Sequence, residues 1–147
     1  MAFTTNVQIF RNLANGHSLL TSYRLLAAVE LALKDANCTV AGGGHDVPGM
    51  LDVAASRPAA QPFVPGQLIS FAGQLRSSLG LLKCQGKNGN PQPVPAHSYP
   101  YMRYCRFDGD WGGVDETPPA YVTALEQVCQ NLCAFLSVHG PKLGVNL

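Results

Sequence analysis

The twenty residues from Ser18 to Asn37, SLLTSYRLLAAVELALKDAN, read as one long helix with apolar side chains on two of its sides. Leu19, Tyr23, Leu26, Val29 and Leu33 share one helical stripe, and Leu20, Ala27 and Leu31 share another. A helix with two apolar sides has to be covered by more than one neighbour, which predicts a central position in a bundle. Ser18 is a candidate N-cap, and Glu30 and Lys34 form an i,i+4 pair in the favourable order.

The rest of the chain supplies the neighbours. Thr4 to Ala14 carries Val7, Phe10, Leu13 and Ala14 at helical spacing and stops at Asn15-Gly16. After the break CTVAGGG, the stretch HDVPGMLDVAAS restarts as a short helix with Asp46 as its cap and Pro48 in its first turn. RPAAQPFVPG reads as a proline-rich connector. From Gln67 to Lys83 the apolar positions Leu68, Ala72, Leu75, Leu79 and Leu82 alternate steps of four and three, a helix. The strongest stripe is Tyr121, Val122, Leu125, Val128, Leu132, Phe135 and Leu136, bounded by Pro118-Pro119 and Gly140-Pro141.

Between these two helices, residues 84–117 keep no period and are dense in Gly, Pro and Asn. No β-branched alternation is long enough to predict a sheet. The expectation over residues 1–147 is a single all-α domain. Its form would be an up-and-down helical bundle of four or five helices with a long irregular loop before the last one.

Composition narrows the function classes. Charged residues make up 13% of the chain, about half the usual share for a soluble protein. A surface short of charge favours self-association, so a homodimer is expected. A formal net charge of +1 gives no global field for a polyanion, and any nucleic-acid binding has to come from a local patch. The opening MAFTTNVQIF lacks a basic start leading into an apolar run, and Arg24, Glu30 and Lys34 interrupt the most apolar stretch. The chain therefore reads as cytoplasmic, with no membrane partner. Five cysteines without a C-x-x-C pair fit reduced thiols in that compartment. Cys129 and Cys133 share a helix face, but buried cysteine is common in cores; no metal and no cofactor are expected.

The chemistry concentrates in YPYMRYCRFDGDW, Tyr99 to Trp111. Here Tyr99, Tyr101, Tyr104, Phe107 and Trp111 interleave with Arg103 and Arg106, as in platforms on which bases or nucleotides stack. The predicted ligand-binding set is Tyr99, Tyr101, Arg103, Tyr104, Arg106 and Trp111. The competing reading makes the rings a cap on the bundle, with Asp108 and Asp110 pairing the arginines. Within the set, Arg103 is expected to be structural and Arg106 to be available for a ligand.

Other motifs carry less. DGDWGGVDE fails as a calcium loop because its fifth position is Gly112 and its twelfth is Pro119. GGGHD lacks the Lys-Ser/Thr of a phosphate loop, so His45 is expected to bond nearby backbone at the entry to the short helix. His97 has no sequence partner that would make it a general base. His139 sits where a cation suits the last helix's dipole.

Two stretches resemble HEPN-type domains: SYRLLAAVELALKDAN, leading through a glycine-rich break to GHDVPGML, and the later YPYMRYCR. SYRLLAAVELALKDAN holds an A-x-E-x-x-L-K-like run, GHDVPGML a G-H-D helix start, and YPYMRYCR a segment similar to the Tyr-Pro…Arg-Tyr one before the family's final helix. The resemblance implies an up-and-down bundle, often dimeric. The family includes RNA-cleaving toxins, partners of nucleotidyltransferases, and members without known activity. Catalytic members carry R-x4–6-H late in the chain. Here Arg103 and Arg106 have no histidine at that spacing, and the one match is Arg11 with His17. So loose a pattern arises by chance about once in two chains of this composition, and Gly16 interrupts the helix that would hold the pair rigid. The resemblance thus implies a non-catalytic binding module for RNA, a nucleotide or a protein partner. An RNA-cleaving enzyme and a purely structural oligomerisation protein are the alternatives.

Overall fold

Helix α1 (Leu19–Asp35) is the long helix that its two stripes predict, in a computed structural model that describes residues 19–42, 44–58, 61–106 and 117–147. Leu19, Leu26, Val29 and Leu33 of the first stripe are buried. The second stripe is not covered among the described residues: Leu20 and Ala27 are half-buried and Leu31 is 61% exposed. The helix ends where Asn37 takes a left-handed conformation (φ 60°), with Asn37 N–H donating to Lys34 O and Cys38 N–H to Leu33 O, both at 2.9 Å. Asparagine is one of the few residues with a side chain that visits this region readily, so it serves as the stop.

Helix α2 (Val47–Ala55) begins as its sequence predicts. The Asp46 carboxylate accepts from Gly49 N–H at 3.0 Å, and Pro48 lies in the first turn, where its missing donor costs nothing. Helix α3 (Phe63–Leu81) starts four residues earlier than the periodicity predicts, inside the proline-rich connector. Pro65 is the third helical residue, and at that position its N–H would have no intrahelical partner. Leu68, Ala72, Leu75, Leu79 and Leu82 are all buried. Helix α4 (Pro119–His139) packs on both α1 and α3, and α2 packs chiefly on α3. The two most periodic helices of the sequence, α3 and α4, thus lie against each other.

The chain is mostly helical, but the segment between α3 and α4 also holds a small sheet, contrary to expectation. Strands β1 (Lys83–Gln85) and β2 (Pro91–Pro93) pair antiparallel with Cys84 opposite Gln92. Three residues are too few to display an alternation, and two prolines argue against a strand except at an edge, where a missing donor is harmless. Gly89 (φ +81°) makes the connecting turn. Thr117 ties this hairpin to the start of α4: its hydroxyl accepts from Lys83 N–H (2.7 Å) and donates to Lys83 O (3.1 Å).

A six-residue 3-10 helix (Tyr99–Tyr104) follows the hairpin. Its three-residue turn puts Tyr99, Met102 and Cys105 on the inner side, at 3%, 0% and 0% exposure. Tyr101, Arg103 and Tyr104 are left on the outer side, half-buried. Arg57 closes the other end of the molecule, donating to Ala36 O at the end of α1 and to Leu143 O in the C-terminal turn. All five cysteines are free thiols. No helix among the described residues is long and apolar enough to cross a membrane.

Leu132 is fully buried in α4 and Leu31 is not. Leu132→Ala should therefore cost about 2–5 kcal/mol in urea unfolding, and Leu31→Ala no more than about 0.5 kcal/mol.

Candidate functional site

Glu30 is the most deeply buried charged side chain among the described residues, at 6% exposure. A carboxylate taken out of water is tolerated only if donors replace the lost hydration. Three do so, from three different elements. Lys34, one turn on in α1, reaches Oε2 at 3.4 Å. His45, just before α2, donates from Nδ1 to Oε1 at 2.6 Å. The Tyr99 hydroxyl, from the 3-10 helix, donates to the same carboxylate. The backbone repeats the link, since His45 and Ser98 form an isolated parallel β-bridge.

His45 thus bonds a carboxylate fifteen residues away rather than neighbouring backbone. Its Nδ1–H is committed to Glu30, which sets the ring orientation and leaves Nε2 as the other ring nitrogen on a half-exposed side chain. The ring of Tyr99 stands edge-on between Tyr23 (5.5 Å) and His45 (5.9 Å). Burial, reinforced by the Glu30 charge and the hydrogen bond to it, pushes the Tyr99 hydroxyl well above its ordinary value of 10.0.

In front of this cluster lies a cavity of about 250 Å³ lined by His45, Ser98, Pro100, Tyr101, Arg103 and Tyr104. Arg103 donates from Nε to Pro100 O at 3.0 Å and lies 5.5 Å from the centre of the Tyr104 ring. Among the described residues its two Nη groups have no hydrogen-bond partner. Tyr101 and Tyr104 meet edge-to-face at 6.0 Å. The arrangement offers a guanidinium held in place by its own helix, two aromatic faces, a hydroxyl and an oriented imidazole. Such a set can hold an anion and a flat ring together.

The predicted ligand-binding residues divide accordingly. Tyr101, Arg103 and Tyr104 share the cavity. Tyr99 lies behind it as part of the Glu30 cluster. Arg106 is engaged elsewhere: its guanidinium donates to the buried Gln85 side chain and its backbone bonds Lys83 and Thr117. Arg103 is tied to a backbone carbonyl, as expected of a structural arginine, while lining the cavity; Arg106, expected to be available, is tied down because it follows the bridge between Cys84 and Cys105 back to the sheet. Trp111, Phe107, Asp108 and Asp110 lie outside the described residues, as do Arg11, His17, the expected helix from Thr4 to Ala14 and the Ser18 cap.

His45 and Ser98 are the members that sequence reasoning missed. The signal available was Glu30, a carboxylate set between the two apolar stripes of its helix, where burial demands a partner. Cys129 and Cys133 lie on α4, where burial pushes the Cys129 thiol up to about 12. Among the described residues they belong to no cluster of three metal-ligating side chains.

Tyr99→Phe deletes one donor to a buried carboxylate and should lower stability by about 1.5–3 kcal/mol. The same residue predicts a pH dependence. The unfolded chain releases this proton near pH 10 and the folded chain holds it, so native stability falls as pH rises past that point. Urea melts across this range should show a shallower fall for Tyr99→Phe than for the natural protein. No family model, curated protein or solved structure matches this chain, so the chemistry of the site is what speaks for its function.

Proposed function

We propose that this chain is a HEPN-type, up-and-down helical bundle that acts as a non-catalytic binding module for RNA or a nucleotide, through the cavity around Arg103. The observation that carries the reading is the joint lining of one cavity by the Arg103 guanidinium, the Tyr101 and Tyr104 rings, Ser98 and His45. A nucleotide has the matching parts, an anionic phosphate beside a flat base, and each aromatic face contributes about 1–3 kcal/mol in stacking. With a net charge of only +1 the affinity rests on this local set rather than on a long-range field.

The HEPN resemblance gains support from where its segments lie. Glu30 and Lys34 come from the A-x-E-x-x-L-K-like run, His45 from the G-H-D start, and Tyr99 and Arg103 from YPYMRYCR. These short stretches, far apart in sequence, converge on the Glu30 carboxylate and the cavity in front of it.

A second reading, RNA cleavage, draws on His45. Its Nδ1 is oriented by Glu30, the arrangement of an imidazole prepared for proton transfer, and it lines the same cavity as Arg103. Accumulation of RNA fragments that stops in His45→Gln would favour this second reading over simple binding.

Fluorescence anisotropy with a labelled single-stranded RNA tests the binding reading. Arg103→Ala should weaken binding about tenfold, the loss of one charge-assisted contact, while the melting temperature stays nearly unchanged. Arg106→Ala should instead lower stability by about 1–3 kcal/mol, because it removes a charged donor from the carbonyl oxygen of the buried Gln85 side chain. Equal RNA binding by the natural protein and Arg103→Ala would sink the proposal.

A further inference from the structure

Tyr101 is the wall of two cavities, not one. Besides the cavity it shares with Arg103, it lines a second of about 350 Å³ with Lys87, Asn88, Gln92, Pro95 and His97. The β-hairpin supplies Lys87 and Asn88 from its turn and Gln92 from β2, and His97 comes from the segment leading to the 3-10 helix. Lys87 and His97 are exposed side chains. Asn88 accepts from Asn90 N–H at 3.1 Å through Oδ1, which occupies that oxygen and leaves the amide nitrogen as the donor of the pair.

The two cavities differ in what they offer. The first has a guanidinium and two tyrosine rings. The second has an ammonium group, two carboxamides and an imidazole beside the flat faces of Pro95 and Tyr101. With Asn88 Oδ1 taken by Asn90 N–H and Gln92 Nε2 directed at Cys84 Sγ (4.0 Å), the Asn88 amide nitrogen and the Gln92 carbonyl oxygen remain as a donor and an acceptor, which suit a base edge. A lysine is a point charge that suits a phosphate of any orientation. Neither cavity alone is matched to more than one nucleotide unit, and the single ring between them is shared.

We infer that the second cavity is a seat for a second nucleotide, so that the ligand is a single-stranded oligonucleotide straddling Tyr101 rather than a free mononucleotide. This inference rests on the nucleotide-binding reading of the Arg103 cavity and adds its substrate class. The unit held at Arg103 and the unit held by Asn88 and Gln92 pack on opposite sides of one tyrosine, with Lys87 and His97 facing the connecting phosphates. Tyr101 then acts as the spacer that sets the register of the strand.

The test compares ligand length with position of substitution. Isothermal titration uses uridine monophosphate and oligouridylates of two, four and eight nucleotides. Affinity should rise about tenfold or more from one nucleotide to two, the contribution of one further stacked base. Lys87→Ala and His97→Ala, both on exposed side chains and checked by thermal melts, should weaken the dinucleotide and longer ligands several-fold. Both variants should leave the monophosphate unchanged, whereas Arg103→Ala should weaken every length. Equal affinity for one and two nucleotides, or unaltered oligonucleotide binding by both variants, would overturn the second seat while leaving the Arg103 cavity standing. Failure of every length to bind the natural protein would remove the nucleotide reading and this inference together.

Discussion

The Glu30 carboxylate is where the helical part of this protein and its irregular part become one structure. A buried charge carries a desolvation cost of several kcal/mol, and the cost is offset only while its donors stay in place. Because those donors come from α1, the entry to α2 and the 3-10 helix, the charge requires that all three meet at one point. An apolar side chain at position 30 would pack against whatever came near it. A carboxylate accepts few arrangements, and that selectivity positions His45 and the 3-10 helix as walls of one cavity.

The 3-10 helix converts this anchoring into a surface. With three residues per turn, every third side chain points the same way, so Tyr99 and Met102 can be buried while Tyr101, Arg103 and Tyr104 are not. An α-helix of the same sequence would have mixed the two sets. Arg103 is further constrained by the carbonyl of Pro100, three residues back, so less side-chain freedom remains to be lost when an anion binds. Rigid placement of a few polar groups against aromatic faces is what distinguishes a site from a surface that merely contains the same residues.

Beneath the site, β1 and Thr117 bind the hairpin to the last helix. The paired hydrogen bonds between Thr117 and Lys83 connect residues thirty-four apart, and Arg106 adds its bond to Gln85 from the same side. The short sheet therefore serves to hold both cavities against the helices, which explains why residues 83–106 have a defined shape without a regular period. It also explains the division of labour between the two arginines: one closes the framework and the other faces outward.

Within the described residues the sequence by itself determined the helices, because a period of 3.6 leaves its mark whenever one side is buried: Leu68 to Leu82 and Val122 to Leu136 were legible from the chain alone. It also marked the Asp46 cap and the aromatic cluster around Arg103, since both lie within a few residues of chain. Tertiary structure alone decided the start of α3 within a proline-rich stretch, the pairing of two three-residue strands, and the partner of Glu30. It decided as well which arginine faces the cavity and that His45 and Ser98 belong there. The meeting of Glu30, His45 and Ser98 depends on contacts between residues fifteen to more than fifty positions apart, and such contacts leave no local pattern. A buried carboxylate announces that it needs donors, but only the folded chain says which ones arrive.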